Sequence, residues 1–194
     1  MAEVRQPRHD VVSFASEELI LVNSQDEEIG YNNKAACHDG HGILHRAFSL
    51  FVFNSRGQLL LQQRSKDKRL WPGFWANSCC SHPRRGETME VATSRRLAEE
   101  LGMHCDNMQF VFKFEYQVDF GDLGAEHELC HVFVGHTDDE VKANRNEVEA
   151  WRFVSVAELD AEMTAHPEHL SPWLKLEWQR LRSQYNDVLP VAAG

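Results

Sequence analysis

Short stretches in which hydrophobic residues dominate or alternate with polar ones recur along the chain and predict β-strands. Residues 47–53 and 58–63 flank a polar stretch at 54–57, an arrangement typical of a β-hairpin. Further strands are expected at residues 19–22, 110–118, 129–134 and 150–154. The sheet predicted by these segments draws on most of the length of the chain.

Three other segments carry helix signals. A helix over residues 88–101 is expected to stop at Gly102, because glycine readily adopts the left-handed conformation of a helix end. Ser155 and Glu158 form a capping-box pair, and Ser171 with Pro172 is a cap followed by a first-turn proline. The last helix carries an apolar stripe: Leu174, Trp178, Leu181 and Tyr185. The mixed order of elements predicts an α/β (α+β) fold, with a mixed sheet sandwiched between helices.

Length and composition place these elements in one domain. The chain has 194 residues, of which 42% are hydrophobic and 26% charged, so a core can form without disulfides or a structural metal. We expect a single domain over residues 1–194, with loose termini at about 1–16 and 186–194. The protein is expected to be a monomer.

Neither a membrane span nor a secretion signal is expected. The longest strongly apolar run, residues 48–53, is far shorter than the roughly 20 residues that cross a bilayer. The first twenty residues lack the apolar core of a signal peptide. Five cysteines, an odd number, suit a reducing compartment. The expected location is the cytoplasm, with no membrane partner.

Charge is unevenly distributed along the chain. The net charge of -10 argues against general nucleic-acid binding. Residues 64–96 nevertheless contain eight basic and three acidic side chains, a local charge of +5. Such a patch fits a small anionic ligand, although solvated loops and an exposed helix face would explain it equally well.

Two pairs of residues separated by one position are candidates for chemistry. Cys80 and His82 would face one side of an extended segment, with the imidazole as a metal ligand and the thiol as acid, base or nucleophile. Taken alone, this pair is more often a buried thiol beside a surface histidine. Glu126 and Glu128 precede the apolar run 129–134, so both carboxylates would project from one strand face and repel each other unless a cation or proton intervenes.

Two further histidines extend this set. His38 and His45 lie around Gly40 and Gly42, in a segment flexible enough to bring both rings together. Each of these histidines and carboxylates, taken separately, is more often a solvent-exposed side chain without a functional role. Together with His82 and the two carboxylates, they are a plausible site for Mg²⁺, Mn²⁺ or Zn²⁺.

These pieces, in this order, resemble the type I isopentenyl-diphosphate isomerases, which have the Nudix fold. The resemblance rests on residues 36–38, 71–83, 95–96, 99–102, 126–128 and 171–173, together with His45. It implies a single Nudix-like domain that converts isopentenyl diphosphate to dimethylallyl diphosphate by adding and removing protons through a tertiary carbocation. The partner is therefore expected to be a small diphosphate, with no nucleic acid.

The resemblance also implies roles for residues at matching positions. The catalytic residues would be Cys80, Glu128, Tyr116, which hydrogen-bonds Glu128, and Trp173, whose ring stabilises the cation. One divalent metal ion would be held by His38, His45, His82, Glu126 and Glu128. A second Mg²⁺, bound with the substrate diphosphate, would be held by Glu100. The diphosphate itself would contact Lys34, Arg64, Lys68 and Arg96. Apart from the resemblance, the cationic surroundings near Cys80 are expected to help hold a thiolate when one is required.

Two alternative functions remain open on the sequence. Aligned on Gly102, the Nudix hydrolase box G-x5-E-x7-R-E-U-x-E-E-x-G-U matches Glu87, Arg95 and Glu99, but places Ser81 at its first glycine and Arg96 at a metal-binding glutamate. These departures count against hydrolysis. A non-catalytic module could instead hold structural zinc through Cys37, Cys79, Cys80, His38 and His82. Adjacent cysteines do not have the usual zinc-ligand spacing, so this reading is weak.

Overall fold

The computed structural model describes residues 9–190. Within them, nine strands form one sheet: β1 (Glu18–Val22), β2 (Glu28–Asn33), β3 (His45–Phe53), β4 (Leu59–Arg64), β5 (Trp75–Ala76), β6 (Cys79–Ser81), β7 (Gln109–Asp119), β8 (Ala125–His136) and β9 (Val148–Val154). The α-helices are α1 (Lys34–Cys37), α2 (Met89–Leu101), α3 (Val156–Ala165) and α4 (Pro172–Gln184). Strands β2, β5 and β6 and helix α1 were not predicted from the sequence. No helix of this part of the chain has the length and hydropathy that crossing a bilayer requires.

Strand β3 is the centre of the sheet. It runs parallel to β8, with His45 beside Glu128, and antiparallel to β6, with Ser49 beside Cys80. Strand β8 also pairs with β7, where Tyr116 lies opposite Glu128. Groups that are far apart in sequence therefore meet near the start of β3.

The predicted hairpin forms only at its turn. Strands β3 and β4 pair at one position, Phe53 with Leu59; β3 then continues against β6, and β4 against β5 and β9. The expectation of a paired hairpin is wrong beyond that point. Turn residues determine where the chain reverses, whereas the partners further along each strand are determined by long-range packing.

The sheet is covered by helices on both faces, which confirms the predicted sandwich. Alternate side chains of β3 enter two different cores: Phe48, Leu50 and Val52 pack in a cluster with α2, whereas Phe51 and Phe53 pack in a cluster with α3 and α4. Because both faces of β3 are buried, its sequence is a nearly continuous apolar run and does not alternate between apolar and polar residues.

The helix ends follow their sequence signals with one exception. Gly102 ends α2 in the left-handed conformation, with φ of 64°. Ser155 and Glu158 form the predicted capping box, with bonds of 3.2 and 2.6 Å. Pro172 is the first residue of α4, but the Ser171 side chain makes no capping hydrogen bond. Its backbone N–H instead donates to the Trp75 carbonyl at 2.8 Å, which joins α4 to β5.

The described parts of the predicted loose termini are attached to the domain. Asn144 Nδ2 donates to the Asp10 carbonyl at 2.8 Å, and Arg96 donates to the Val12 carbonyl at 2.9 Å. At the other end, Leu189 is buried in the core. Residues in both segments, 10–15 and 186–189, therefore contact the rest of the fold, through backbone hydrogen bonds at the N-terminal end and through the Leu189 side chain at the C-terminal end. Residues 1–8 and 191–194, the rest of these predicted termini, lie outside the described residues.

Candidate active site

A cavity of about 580 Å³ gathers most of the residues that the sequence singled out. The predicted residues in its wall are Lys34, His38, Arg64, Lys68, Cys80, His82, Arg96, Tyr116, Glu126, Glu128 and Trp173. His45 and Glu100 lie behind the wall. The segment containing Ser13 and Phe14 closes one side, so part of the predicted loose N-terminus forms the wall of the cavity.

Three histidines and two glutamates converge at the base of this cavity. His38 caps α1, His45 begins β3, His82 follows β6, and Glu126 and Glu128 lie on β8. All five are buried, and their ligand atoms lie within 4.8 Å of one another. The cluster can hold a divalent metal ion. The parallel pairing of β3 with β8 creates it, since neither strand carries more than part of the set.

The contacts within the cluster are short. His38 Nε2 lies 2.9 Å from Glu126 Oε2, and His82 Nε2 lies 3.0 Å from Glu128 Oε1. The His45 Nε2 atom is 3.8 Å from the same Glu128 oxygen. The centroids of the three imidazole rings are 4.8 to 5.2 Å apart. Rings at this separation surround one point, as ligands of a single ion do.

Backbone carbonyls orient two of the rings. The Nδ1 atom of His38 lies 2.7 Å from the Lys34 carbonyl oxygen, and the Nδ1 atom of His45 lies 2.7 Å from the Ile43 carbonyl oxygen. A carbonyl can only accept, so Nδ1 carries a proton in both rings, and Nε2 is the atom through which each ring would bind a metal. The buried His45 Nε2 has no hydrogen-bond partner among the described residues. Such an orphaned atom fits a metal ligand.

The protonation states also favour a metal. Burial and the nearby His38 lower the pKa of His45 to about 3, and burial lowers that of His82 well below its usual range. Burial alone would raise the pKa of Glu126, but the charge of His38 outweighs it and lowers the pKa to about 2. Burial and Glu126 raise the pKa of Glu128 well above its usual range. His45, His82 and Glu126 are therefore in the form that binds a metal. Burial would lower the pKa of His38, but the Glu126 charge outweighs burial and raises it, so a bound cation would have to reverse the shifts of both His38 and Glu128.

The expected hydrogen bond between Tyr116 and Glu128 is present. The phenolic hydroxyl donates to Glu128 Oε2 at 2.7 Å. Burial, followed by the Glu128 charge, raises the pKa of Tyr116 well above its usual range, so the phenol remains a donor. One oxygen of Glu128 therefore faces His82 and the other faces Tyr116.

The surroundings of Cys80 favour its protonated thiol form. Its Sγ donates to Asn77 Oδ1 at 2.8 Å and lies 3.4 Å from Ser49 Oγ. Burial, followed by the negative charge of Glu177, raises the pKa of Cys80 well above its usual range. Arg64 acts in the opposite direction, but its charge does not compensate for burial.

Trp173 is both a core residue and a wall of the cavity. Its side chain is buried and packs edge-on against Trp71, with ring centroids 5.4 Å apart. The guanidinium of Arg64 lies 5.0 Å from the Trp173 ring centroid, within cation–π range. Trp173 lies outside the apolar stripe of α4, so the sequence did not predict its burial. The burial arises because Trp71, from a different segment, packs against the Trp173 ring.

The loop before β5 orients Arg64 through its backbone. Arg64 donates to the carbonyls of Leu70 and Trp71 at 2.9 and 3.1 Å. Trp71 has a φ of 46°, a left-handed conformation that is strained for a bulky side chain. The strain is located where the chain turns its carbonyls toward a cation of the cavity.

The other cations of the cavity have acidic partners. Lys34 lies 3.8 Å from Glu17 and Arg69 lies 2.6 Å from Asp39, while Lys68 pairs with Glu147 and Arg96 with Glu100. Lys34 donates to Ser13 Oγ at 2.6 Å, and burial, together with Lys68 and Arg96, lowers its pKa to about 8. Arg96 donates to Glu100, which also accepts from Gln62 at 3.1 Å. Glu100 is therefore buried against Arg96 and is not in the wall of the cavity.

Sequence reasoning missed one carboxylate in this wall. Glu147 forms ion pairs with Lys68 and with Arg96, the latter at 3.1 Å. It precedes β9 in a segment without a recognisable motif, so no sequence signal pointed to it.

Sequence reasoning also missed a buried polar group behind Cys80. Cys130 Sγ lies 3.5 Å from Ser49 Oγ and 3.4 Å from Glu177 Oε1. Glu177 is fully buried on α4, and burial raises its pKa to about 8. Its spacing from Trp173 and Leu181 places it on the buried face of α4, a signal that could have indicated a buried acid.

Comparison with known proteins identifies the fold class of this chain. The NUDIX domain model matches residues 43–174. A structure from Deinococcus radiodurans, DR0079, superposes with a TM-score of 0.69 at 26% identity and covers 84% of this chain and 98% of its own. A MutT protein from Methanosarcina mazei superposes with a TM-score of 0.59 at 17% identity, over 73% of this chain and 95% of its own, and supports the fold alone. The chain is a Nudix-domain protein.

Sequence relatives narrow this class. Isopentenyl-diphosphate Delta-isomerase 1 of Photorhabdus laumondii is 41% identical over 174 residues, which cover 89% of this chain and 99% of that protein. Isopentenyl-diphosphate Delta-isomerase of Serratia proteamaculans is 44% identical over 158 residues, or 81% of this chain and 87% of that protein. The chain belongs to the isopentenyl-diphosphate Delta-isomerase family.

Proposed function

We propose that this protein converts isopentenyl diphosphate to dimethylallyl diphosphate. The observation that carries the proposal is the placement of Cys80 and Glu128 on two strands that flank β3, both in the wall of a cavity that also contains five lysine and arginine side chains. The names of the relatives support the same reaction. A hydrocarbon cavity wall beside a cationic one suits a substrate with an apolar tail and a diphosphate head.

The proposed reaction moves a double bond inward by one carbon. One group adds a proton to the terminal carbon and leaves a tertiary carbocation; a second group removes a proton from the carbon on the other side. Cys80 and Glu128 are proposed as this pair. Each turnover leaves one of them with an extra proton and the other without one, so a proton must return between them before the next substrate reacts.

Several residues are proposed to support these proton transfers by Cys80 and Glu128. Tyr116 holds one oxygen of Glu128, and Asn77 orients the Cys80 thiol. Trp173 is proposed to stabilise the carbocation with its ring face, an interaction worth about 2 kcal/mol when desolvated. The diphosphate is proposed to bind Lys34, Arg64, Lys68 and Arg96.

Metal ions are proposed at two positions. The three histidines with Glu126 and Glu128 fit Mg²⁺, Mn²⁺ or Zn²⁺, whose charge would keep Glu128 anionic. A second Mg²⁺ accompanying the diphosphate is proposed to contact Glu100, which requires Arg96 to release that carboxylate. We also propose a cytoplasmic location, because five unpaired cysteines suit a reducing compartment, and a monomer, because a chain of this length can bury its own core.

The test is incubation of the metal-loaded protein with isopentenyl diphosphate and Mg²⁺ in deuterated water, followed by proton and phosphorus NMR. We expect dimethylallyl diphosphate that carries solvent deuterium, without phosphate release. Phosphate release without the isomerised product would contradict the proposal and favour a Nudix hydrolase. A Cys80→Ala protein that retains full activity would contradict the mechanism.

A further inference from the structure

Glu147 lies among cations that the proposed function assigns to the substrate. Its carboxylate pairs with Lys68 and with Arg96, the latter at 3.1 Å. All three side chains are in the wall of the cavity, and Glu147 itself is only 5% exposed. The diphosphate site therefore contains an anion of its own.

Backbone hydrogen bonds anchor the chain at Glu147, and the ion pairs with Lys68 and Arg96 hold its carboxylate. The Glu147 backbone N–H donates to the Asn144 carbonyl at 3.0 Å, and its carbonyl accepts from Ser65 at 2.9 Å. Burial would raise the pKa of Glu147, but the charges of Lys68 and Arg96 outweigh burial, so its pKa lies below the usual range. Glu147 is therefore charged at neutral pH and cannot easily move away from an arriving phosphate.

A fixed carboxylate affects a bare diphosphate and a metal-bound diphosphate in opposite ways. It repels the phosphate oxygens of the bare anion and competes with them for Lys68 and Arg96. A divalent ion bound to the diphosphate would offset that repulsion, because carboxylates together with substrate phosphates are the usual ligands of Mg²⁺ in such sites.

We propose that Glu147 is a specificity-determining residue that makes this cavity select the divalent-metal complex of a diphosphate over the metal-free anion. The inference rests on the proposed function only in that the cavity binds a diphosphate. The negative charge of Glu147 offsets part of the positive charge of Lys68 and Arg96, so the cavity suits a diphosphate whose own charge is partly neutralised by a metal ion. A metal-free diphosphate would compete with the Glu147 carboxylate for Lys68 and Arg96, and Glu147 therefore disfavours that complex.

The experiment measures the affinity for inorganic diphosphate by titration calorimetry, with and without excess Mg²⁺. The protein is first loaded with one equivalent of Zn²⁺, and unbound metal is removed. The wild type, Glu147→Gln and Glu149→Gln are compared. Glu149 is the matched control, because it lies two positions away and pairs with Lys66 at 3.5 Å near the surface.

We expect the wild type to bind diphosphate much more tightly with Mg²⁺ than without it. Glu147→Gln should bind metal-free diphosphate about tenfold more tightly than the wild type and show a smaller effect of Mg²⁺. Glu149→Gln should match the wild type. An unchanged or weaker metal-free affinity in a folded Glu147→Gln protein would overturn the inference.

The wild type alone also tests the inference if Glu147→Gln does not fold. Equal affinities with and without Mg²⁺ would overturn the selectivity while leaving a diphosphate site in place. Absence of binding in both conditions would instead contradict the proposed function, and the inference with it.

Discussion

The hydroxyl of Tyr116 donates to Glu128 Oε2 at 2.7 Å across the pairing of β7 with β8. This bond orients a carboxylate whose other oxygen lies 3.0 Å from His82. Tyr116→Phe should lower kcat or metal affinity by about 10- to 100-fold, the usual effect of losing a group that orients a metal ligand. Tyr185→Phe is the control, because Tyr185 stacks on Phe112 outside the cavity. Steady-state kinetics and metal titration would check the prediction, and wild-type values in Tyr116→Phe would contradict it.

Cys80 is the cysteine whose loss should stop the reaction. Removing a proton-transfer group typically costs about a hundredfold to ten-thousandfold in rate, so Cys80→Ala should lose at least that activity while its fold and metal content remain. Cys105→Ala should remain active, because Cys105 is not in the cavity wall and bonds Asn107 and the His136 carbonyl. Deuterium incorporation by NMR measures both variants, and comparable losses in both would point to a structural effect.

Gly124 allows the chain to pass close to His38, a proposed metal ligand. A Cβ at this position would lie 2.2 Å from the His38 carbonyl oxygen, so Gly124→Ala must displace the segment that carries His38. We expect a stability loss of about 1 to 3 kcal/mol and weaker metal binding. Gly121→Ala is the control, because its φ of +56° is also strained for alanine but nothing lies within 4 Å of the added carbon.

Urea unfolding and metal competition with a chelator would separate these two effects. Gly121→Ala should lose about 1 to 2 kcal/mol of stability from backbone strain and keep its metal affinity. If both variants bind metal equally well, the close approach of Gly124 does not position His38.

Glu177 should make the stability of the protein fall as pH rises. Burial raises its folded-state pKa from 4.5 to about 8, so between these values the folded state holds a proton that the unfolded state has lost. The stabilising contribution is complete below pH 4.5 and decreases up to about pH 8, by up to about 1.4 kcal/mol per pH unit.

The amide of Glu177→Gln cannot ionise and removes this dependence. Relative to the wild type, the variant should gain about 2 to 3 kcal/mol between pH 6 and 8 in urea unfolding. Glu140→Gln is the control, since Glu140 is exposed and pairs with Lys142 at 3.6 Å. A constant difference between wild type and Glu177→Gln would mean that Glu177 is ionised when folded.

The sequence alone predicted the elements whose causes are local. Gly102, Ser155 with Glu158, and Pro172 mark helix ends because capping depends on neighbouring backbone groups. It also predicted the sandwich, since apolar periodicity records which faces are buried. The site residues were found largely through the motifs that carry the family resemblance, and spacing by itself left most of them ambiguous.

Only the tertiary structure decided how these pieces meet. The parallel pairing of β3 with β8 brings His45 beside Glu128, and no local signal specifies the partner of a strand. The tertiary structure also decides the protonation of Cys80, because a pKa depends on burial and on charges contributed by distant segments. It likewise decides that Glu147 lies among the cations of the cavity, because its ion-pair partners come from other segments. The sequence determined the identity of the chemical groups, and the fold determined their neighbours and therefore their charge.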